Sequence, residues 1–166
     1  MTLTTDKNST LTFGLSLAVS EALTSFRRMI VDDKLGLLWV IHQGVACSLT
    51  PMAPGAARLF LTQGLLHRIK QMSPTEQMSV IHDLLSGADT PITRQYGMFV
   101  PNTKLVFWSQ LFEWMCTGEV VTASSTYQLS ATALQLLKKI VSLDYDEQIK
   151  FVRIALIDMG VEPITV

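Results

Sequence analysis

The sequence predicts an all-α protein, on three observations. From Ser20 onward apolar residues recur at helical spacing, Gly and Pro punctuate the segments, and several segments open with a helix-capping signature. Residues Leu11 to Val19 instead alternate apolar with small or polar residues, a pattern typical of a strand. No second segment alternates well enough to pair with it. We therefore interpret residues 1–19 as an apolar arm or an irregular first helix, and residues 20–166 as one helical domain.

The first long helix is predicted to follow Asp32 and Asp33. Either carboxylate can cap a helix that extends to about Cys47, and apolar residues lie on both of its sides, so we expect it to be buried nearly all round. The Pro- and Gly-rich segment 49–57 is typical of a loop. After it, apolar residues at helical spacing predict a second helix over about 57–72.

The middle of the chain carries the clearest start and stop signals. Ser73-Pro-Thr-Glu76 combines a capping Ser, a Pro at the first helical position and a Glu that can return the hydrogen bond. The helix that it opens is predicted to end at Gly87. A short helix is expected after Asp89-Thr-Pro91, and the most aromatic stretch predicts a long helix over about 103–117 that Gly118 ends.

Two more helices are predicted toward the C-terminal end. Ser130 can cap a helix that reaches about Leu143, and Asp144 with Glu147 forms a second capping signal for a last helix that ends before Gly160. With about seven helices and no credible sheet, the fold class is all-α. No repeat of fixed period divides the chain.

Charge and hydropathy exclude several classes of protein. The 166 residues include 13 Lys plus Arg and 14 Asp plus Glu, which gives a formal net charge of −1. Without a basic excess the chain is not expected to bind nucleic acid, because such binding relies on displacing counterions from phosphates. Hydrophobic residues make up 48% and charged residues only 16%, with a mean hydropathy of +0.32, so disorder is also excluded.

The longest stretch without charged residues runs from Leu35 to Ala57 and would be long enough to cross a bilayer. Pro51 and Pro54 would break such a helix, and the N-terminus lacks a basic region followed by a continuous apolar core. The two cysteines, Cys47 and Cys116, have neither metal-type nor redox-type spacing. We therefore expect a cytoplasmic protein with no membrane span.

The sequence contains no recognisable catalytic or metal-binding motif. Phosphate-binding glycine loops, paired Cys ligands and a nucleophile elbow are absent, and the histidines at 42, 67 and 82 form no metal-type pair. The acidic clusters at 32–33 and 144–147 are better interpreted as helix caps than as acid–base groups. We therefore predict neither an enzyme nor a metal site.

Aromatic and Met side chains are the unusual feature that remains. The simplest interpretation is that they form an ordinary core. The alternative is a long apolar ligand between the helices, because such a ligand would cover apolar surface that a small domain cannot cover by itself. Composition alone does not distinguish the two. The residues are Trp39, Met72, Met78, Phe107, Trp108, Phe112, Trp114, Met115 and Tyr127.

Six short segments of the chain match those of a known family in the same order and at the same spacing. They are Leu35-x-x-Leu38-Trp39, Ala53-Pro-Gly-Ala-Ala57, Ala88-Asp-Thr-Pro91, Pro101-Asn102-x-Lys104-Leu105-x-Phe107-Trp108, Tyr127-Gln-Leu-Ser-Ala131 and Asp158-Met-Gly160. Together they resemble the N-terminal, carotenoid-binding domain of the cyanobacterial orange carotenoid protein. Nothing in the chain resembles that family's second, mixed α/β domain. We therefore expect a stand-alone paralogue of the N-terminal domain, of the kind known as helical carotenoid proteins.

The resemblance implies an all-α fold of two interleaved four-helix halves. It also implies a keto-carotenoid, of the canthaxanthin, echinenone or 3'-hydroxyechinenone type, in a tunnel between the halves. His42 stands where the family commonly has Tyr, and Ala123 where it has a bulkier aliphatic residue, so binding is expected to survive while pigment preference is left open. The other positions that match the tunnel lining are Leu35, Leu38, Trp39, Ile81, Leu105, Trp108 and Tyr127.

Two further positions match partner-binding residues of the family. Arg153 matches an arginine that joins the two domains when closed and contacts the antenna when open, and Asn102 matches another interdomain contact. The partners implied are the phycobilisome or a separately encoded homologue of the C-terminal domain, and association with thylakoid-bound phycobilisomes would follow from the first. We expect Arg153 to be exposed beside a tunnel mouth.

Three functions are then considered. The first is photoprotection by a bound carotenoid that quenches singlet oxygen, together with storage or transfer of carotenoid. The second is an adaptor that docks on one of the two partners to quench antenna excitation. The third, an enzyme acting on apolar molecules, has no catalytic constellation to support it. Quenching is energy transfer to the pigment and requires no acid, base or nucleophile, which agrees with the empty catalytic inventory.

Overall fold

The structure, a computed structural model, describes residues 15–45, 56–122 and 127–162. Over this part of the chain it consists of α-helices joined by short loops, without any strand, which confirms the predicted fold class. The helices are α1 (Leu17–Arg27), α2 (Val31–Val45), α3 (Ala56–Gln71), α4 (Pro74–Ser86), α5 (Pro91–Gly97), α6 (Pro101–Thr117), α7 (Ala131–Ser142) and α8 (Tyr145–Ile157).

Most helix ends lie where local signals predict them. At the start of α4, the Ser73 hydroxyl accepts from the Glu76 N–H at 3.3 Å, and the Glu76 carboxylate accepts from the Ser73 N–H at 2.9 Å. Gly87 and Gly118 end α4 and α6 with φ angles of 73° and 80°. A side chain disfavours this left-handed conformation, so glycine is the natural residue there. Ser130 caps α7 as predicted.

The first helix begins earlier than the sequence pattern indicates. Ser16 caps α1 by accepting from the Val19 N–H at 3.3 Å, so residues 17–19 of the predicted arm are helical. Val19 is buried whereas Leu17 is 75% exposed, because residues two apart in a helix point in nearly opposite directions. Residues 17–19 of the alternating pattern are therefore helical, and residues 1–14 of the arm lie outside the described residues.

α2 begins without the predicted aspartate cap. The helix starts at Val31, so Asp32 and Asp33 lie inside its first turn. The prediction of a cap is wrong because the Asp33 carboxylate accepts hydrogen bonds from a distant segment, described below. By contrast, Asp144 does cap α8. The predicted end of α2 near Cys47 lies outside the described residues.

The eight helices of the described residues form two interleaved groups of four. α1 and α2 pack against α7 and α8, whereas α3 packs on α4 and α6, and α4 packs on α5. The first group therefore combines both ends of the described chain, and the second group lies between them in sequence. The two groups meet where α2 packs on α4 and α6 packs on α8. This interface is referred to below as the seam.

The four helices that meet at the seam carry a large part of the hydrophobic core. Their side chains that are at most 1% exposed include Leu38 of α2, Ile81 of α4, Trp108 and Phe112 of α6, and Val152 of α8. Burial of one aliphatic or Phe side chain contributes roughly 1.5–3 kcal/mol. α2 is buried on most of its surface, as expected, because it packs on helices of both groups.

Candidate functional site

Most of the predicted tunnel residues lie on α2, α4 and α6, which are helices that meet at the seam, and the rings of Trp39, His42 and Trp108 all contact Phe112. Six of these side chains are buried, and Trp39 and Tyr127 are half-buried. Ala123 lies outside the described residues. The eight positions that are described are Leu35, Leu38, Trp39 and His42 on α2, Ile81 on α4, Leu105 and Trp108 on α6, and Tyr127 shortly before α7.

Four rings of α2 and α6 meet across the seam and are referred to as the aromatic cluster. The His42 ring stacks on Phe112, with ring centroids 4.5 Å apart and 21° between the planes. Phe112 also lies 5.3 Å from Trp108 and 6.3 Å from Trp39, measured between centroids. Aromatic pairs at these separations attract each other beyond the effect of buried area. The cluster therefore presents flat apolar faces from both groups of helices.

Phe112 belongs to the aromatic cluster but not to the predicted tunnel residues. It follows Trp108 by four residues, a spacing that places both side chains on one face of α6. That spacing is visible in the sequence. Only the packing of α2 against α6 shows that the Trp39 and His42 rings also contact Phe112.

His42 brings a polar ring into these apolar surroundings. Its side chain is 8% exposed, and burial lowers the pKa of the imidazole below its ordinary value, so the ring is neutral near pH 7. The buried Nδ1 atom has no hydrogen-bond partner among the described residues. Burying an unpaired polar atom is unfavourable. Nδ1 of His42 is therefore a hydrogen-bonding atom that suits a polar group on an otherwise apolar ligand.

Trp108 is held in place by a chain of hydrogen bonds. Its Nε1–H donates to the Tyr96 hydroxyl at 2.9 Å, and that hydroxyl donates to the Leu156 carbonyl oxygen at 2.5 Å. Burial raises the pKa of Tyr96 far above its usual range, so the hydroxyl keeps its proton. These two hydrogen bonds connect α6 to α5 and to the end of α8, so the orientation of the indole depends on both groups of helices.

Asp33 holds Tyr127 and its neighbours against α2. The Tyr127 hydroxyl donates to Asp33 at 2.7 Å, and Ser130 donates to the same carboxylate through its N–H at 3.1 Å and its hydroxyl at 2.6 Å. Burial alone would raise the pKa of Asp33, but these hydrogen bonds outweigh burial and lower it. Burial and the bond to Asp33 raise the pKa of Tyr127 to about 12. Residues 127–130 are referred to as the strap.

Gly36 allows the strap to lie close to α2. A Cβ atom at this position would be 2.9 Å from the Leu129 side chain and 3.4 Å from the Tyr127 ring. The absence of a side chain therefore lets the two side chains of the strap rest on the helix backbone.

Both predicted partner-binding residues are exposed. Asn102 lies in the first turn of α6, and Arg153 lies on α8. No ion pair joins Arg153 to another of the described residues, in contrast to Arg27, which pairs with Asp158. Arg153 is thus available to a partner, while its place beside a tunnel mouth stays a prediction.

The other two histidines have surroundings unlike those of a metal site. His82 Nε2 lies 3.1 Å from an Asp32 carboxylate oxygen, and the exposed His67 lies beside Trp114. Among the described residues, no three His, Cys, Asp or Glu side chains converge so that they could hold a metal ion. Within the same residues, no helix has both the length and the apolar character needed to cross a membrane.

Known protein sequences resemble this chain over most of its length. A sequence model of the family described as "Orange carotenoid protein, N-terminal" matches residues 13–162. An orange carotenoid-binding domain-containing protein of Nostoc sp. is 41% identical, over 99% of each chain. The orange carotenoid-binding protein of Synechocystis sp. is 38% identical over 86% of this chain. The matched region covers only 45% of that protein.

Solved structures resemble the fold as well. The orange carotenoid protein of Anabaena (Nostoc) sp. binding canthaxanthin matches 87% of this chain and 46% of its own, with a TM-score of 0.82 and 39% identity. The red carotenoid protein of the same organism binding canthaxanthin matches 87% of this chain and 99% of its own, with a TM-score of 0.73 and 27% identity. This chain therefore belongs to the family of the orange carotenoid protein N-terminal domain.

Proposed function

We propose that this protein binds a keto-carotenoid along the seam and protects against light damage by quenching singlet oxygen, and that it also stores or transfers carotenoid. The observation that carries the proposal is the aromatic cluster, in which α2 and α6 present Trp39, Trp108 and Phe112 to one another. The two Anabaena relatives whose structures bind canthaxanthin support the choice of ligand. On this proposal the protein is not an enzyme.

The energetics of burial agree with tight binding. A carotenoid of about forty carbons exposes on the order of 900 Å² of apolar surface, and its burial contributes roughly 20 kcal/mol before association costs. Trp39 and Trp108 are expected to make the strongest contacts, because each offers a large flat face. The aliphatic lining, such as Leu38 and Ile81, would exclude water from the polyene.

The residues of the seam fit this role. When bound, the polyene accepts excitation energy and releases it as heat. The side chains of this chain need only hold the pigment extended and exclude water, and neither task requires proton transfer. Trp108, fixed by Tyr96, and Tyr127, fixed by Asp33, would supply rigid contact surfaces.

Expression in a canthaxanthin-producing host tests the proposal. We expect the chain to purify with one carotenoid, to absorb at longer wavelength than the same pigment in solvent, and to shorten the lifetime of singlet oxygen more than the apoprotein does. The matched control is the same chain from a host without carotenoids. A folded but colourless protein from the pigment-producing host would overturn the proposal.

A second candidate function is that of an adaptor that docks on the phycobilisome, or on a separate homologue of the C-terminal domain, to quench antenna excitation. Arg153 favours this function, because it is exposed on α8 and forms no ion pair with the described residues. A guanidinium binds a partner's carboxylate through two parallel hydrogen bonds. Asn102 is exposed as well. Such docking would place the protein in the cytoplasm, at thylakoid-bound phycobilisomes.

The docking role is tested by Arg153→Glu. We expect this variant to lose co-elution with both partners while its pigment content and melting temperature stay unchanged. Lys150→Glu makes the same change of charge at another exposed position of α8 and serves as the control. Retained association of Arg153→Glu, or equal loss in the two variants, would argue against a specific role of Arg153.

A further inference from the structure

His42 carries a hydrogen-bonding atom that the described protein leaves unused. Two buried side-chain polar atoms have no partner among the described residues, Nδ1 of His42 and Oγ1 of Thr122. His42 is the one that lies within the aromatic cluster. A buried atom without a partner has lost its hydrogen bonds to water and gained none in return. A ligand that supplied the missing partner would remove this cost.

The geometry of His42 indicates where such a partner would lie. The imidazole stacks on Phe112 with only 21° between the two ring planes. Because the ring nitrogens bond within the plane of the imidazole, Nδ1 points past the edge of Phe112 and not into its face. A polar group beside the two stacked rings would therefore meet Nδ1.

We propose that His42 selects the pigment: its Nδ1–H donates a hydrogen bond to the keto oxygen on an end ring of the carotenoid. This inference rests on the proposed function and adds the residue that distinguishes one carotenoid from another. A keto oxygen can only accept, so the proton of the neutral imidazole resides on Nδ1 in the complex. A hydrocarbon carotene leaves Nδ1 unpaired, so the chain binds it less tightly.

The test offers the apoprotein equal amounts of canthaxanthin and β-carotene in detergent, and measures the ratio of bound pigments by extraction and chromatography. The two pigments share their polyene and differ by two keto oxygens. We expect the wild type to favour canthaxanthin by about tenfold or more. His42→Phe keeps a ring that can stack on Phe112 and removes the donor. It should lose that preference, so that the ratio of bound canthaxanthin to bound β-carotene falls toward one.

Two matched variants complete the design. His42→Asn returns an N–H donor near the position of Nδ1 and should restore part of the preference. His67→Phe removes the exposed histidine beside Trp114 and should leave the preference unchanged. The apoprotein of His42→Phe should melt no lower than the wild type, because the unpaired polar atom has been removed.

Several outcomes would overturn the inference. An unchanged pigment ratio in folded His42→Phe would make His42 an ordinary core residue, as would equal binding of both pigments by the wild type. Zeaxanthin, which carries ring hydroxyls in place of keto oxygens, should compete less well than canthaxanthin, and equal competition would refute the assignment to a keto oxygen. If neither the wild type nor any variant binds a carotenoid, the proposed function itself fails. That result is distinct from a failure of the inference about His42 alone.

Discussion

A single buried hydroxyl, that of Tyr96, serves two groups from different parts of the chain. It accepts from the Trp108 indole N–H and donates to the Leu156 carbonyl oxygen. Lys104 makes a comparable contact with the residue after Leu156. Its ammonium donates to the Ile157 carbonyl oxygen at 2.9 Å. Both contacts tie the end of α8 to the second group of helices, but only Tyr96 also holds the indole.

Tyr96→Phe should lower the free energy of unfolding of the apoprotein by about 2 kcal/mol, because it leaves buried polar groups unpaired. It should also let the Trp108 indole N–H exchange with solvent. Lys104→Met should cost a similar amount of stability and leave that N–H protected. Chemical denaturation measures the first effect, and NMR of the indole protons, assigned with Trp108→Phe, measures the second. Equal protection of the indole N–H in the two variants would contradict the positioning role of Tyr96.

His42 should make the stability of the apoprotein depend on pH. Its pKa is lowered in the folded state because burial disfavours the charged imidazole. Above the pKa of the unfolded state, about 6.5, both states are neutral and no stability is lost. As the pH falls below that value, the unfolded state binds a proton first, so stability should decrease by at most about 1.4 kcal/mol per pH unit. The free energy of unfolding, measured by denaturation at several pH values between 7.5 and 5, should fall less for His42→Phe than for the wild type. An equal fall in the two proteins would refute His42 as the origin of the pH dependence.

At the scale of elements, the end of the described chain packs on α5 through two glycines. A Cβ atom on Gly97 would lie 1.8 Å from the Val161 carbonyl oxygen. The N–H of Val161 donates to the Thr93 carbonyl oxygen at 3.1 Å. Gly160 has a φ of 82°, and a Cβ there would be 2.6 Å from the Tyr96 ring. Glycine at both positions therefore lets the segment after α8 reach α5.

Gly97→Ala should lower the free energy of unfolding by about 2 kcal/mol, because the methyl group must displace backbone and break the bond from Val161 to Thr93. Gly64→Ala is the matched control, since it lies within α3 and a Cβ there meets nothing within 4 Å. It should raise stability by up to about 1 kcal/mol, because alanine favours the helix. Urea denaturation compares both with the wild type, and a Gly97→Ala protein as stable as Gly64→Ala would contradict the close contact.

At the scale of the whole molecule, the seam joins one group of helices from both ends of the described chain to a second group that lies between them in sequence. α2 and α8 face α4 and α6 across it, and the aromatic cluster lies between α2 and α6. A pigment in the seam would contact both groups at once. Because it binds only the folded state, it would stabilise the two groups together.

Bound carotenoid should therefore raise the melting temperature in one cooperative transition. Trp39→Ala should weaken pigment binding by about tenfold or more and reduce this rise, because the variant loses a large contact face. Trp114→Ala is the control, since Trp114 is also half-buried but contacts His67 and Lys70 away from the cluster. Calorimetry with and without pigment gives the comparison. The same loss of the pigment-induced rise in both variants would demote Trp39 to ordinary packing.

The sequence alone determined the helices and most of their ends. The capping box of Ser73 and Glu76 and the terminal Gly87 and Gly118 are signals contained within a few residues of each helix end, so their chemistry can be interpreted without a fold. The family segments likewise predicted Trp39 and Trp108 for one site, and in the structure both rings contact Phe112. Local signals can do this because they depend on the neighbouring backbone and on helical spacing.

The tertiary structure decided which distant groups meet. By sequence, Asp33 and Asp144 are both acidic residues at the start of a helix, yet Asp144 caps its own helix whereas Asp33 binds Ser130, 97 positions away. In the same way, Phe112 is the ring on which His42 stacks, and the buried Nδ1 of that histidine finds no hydrogen-bond partner among the described residues. Such pairings depend on how helices of the two interleaved groups pack against each other, and no local pattern encodes the distance between residues that the fold alone brings together.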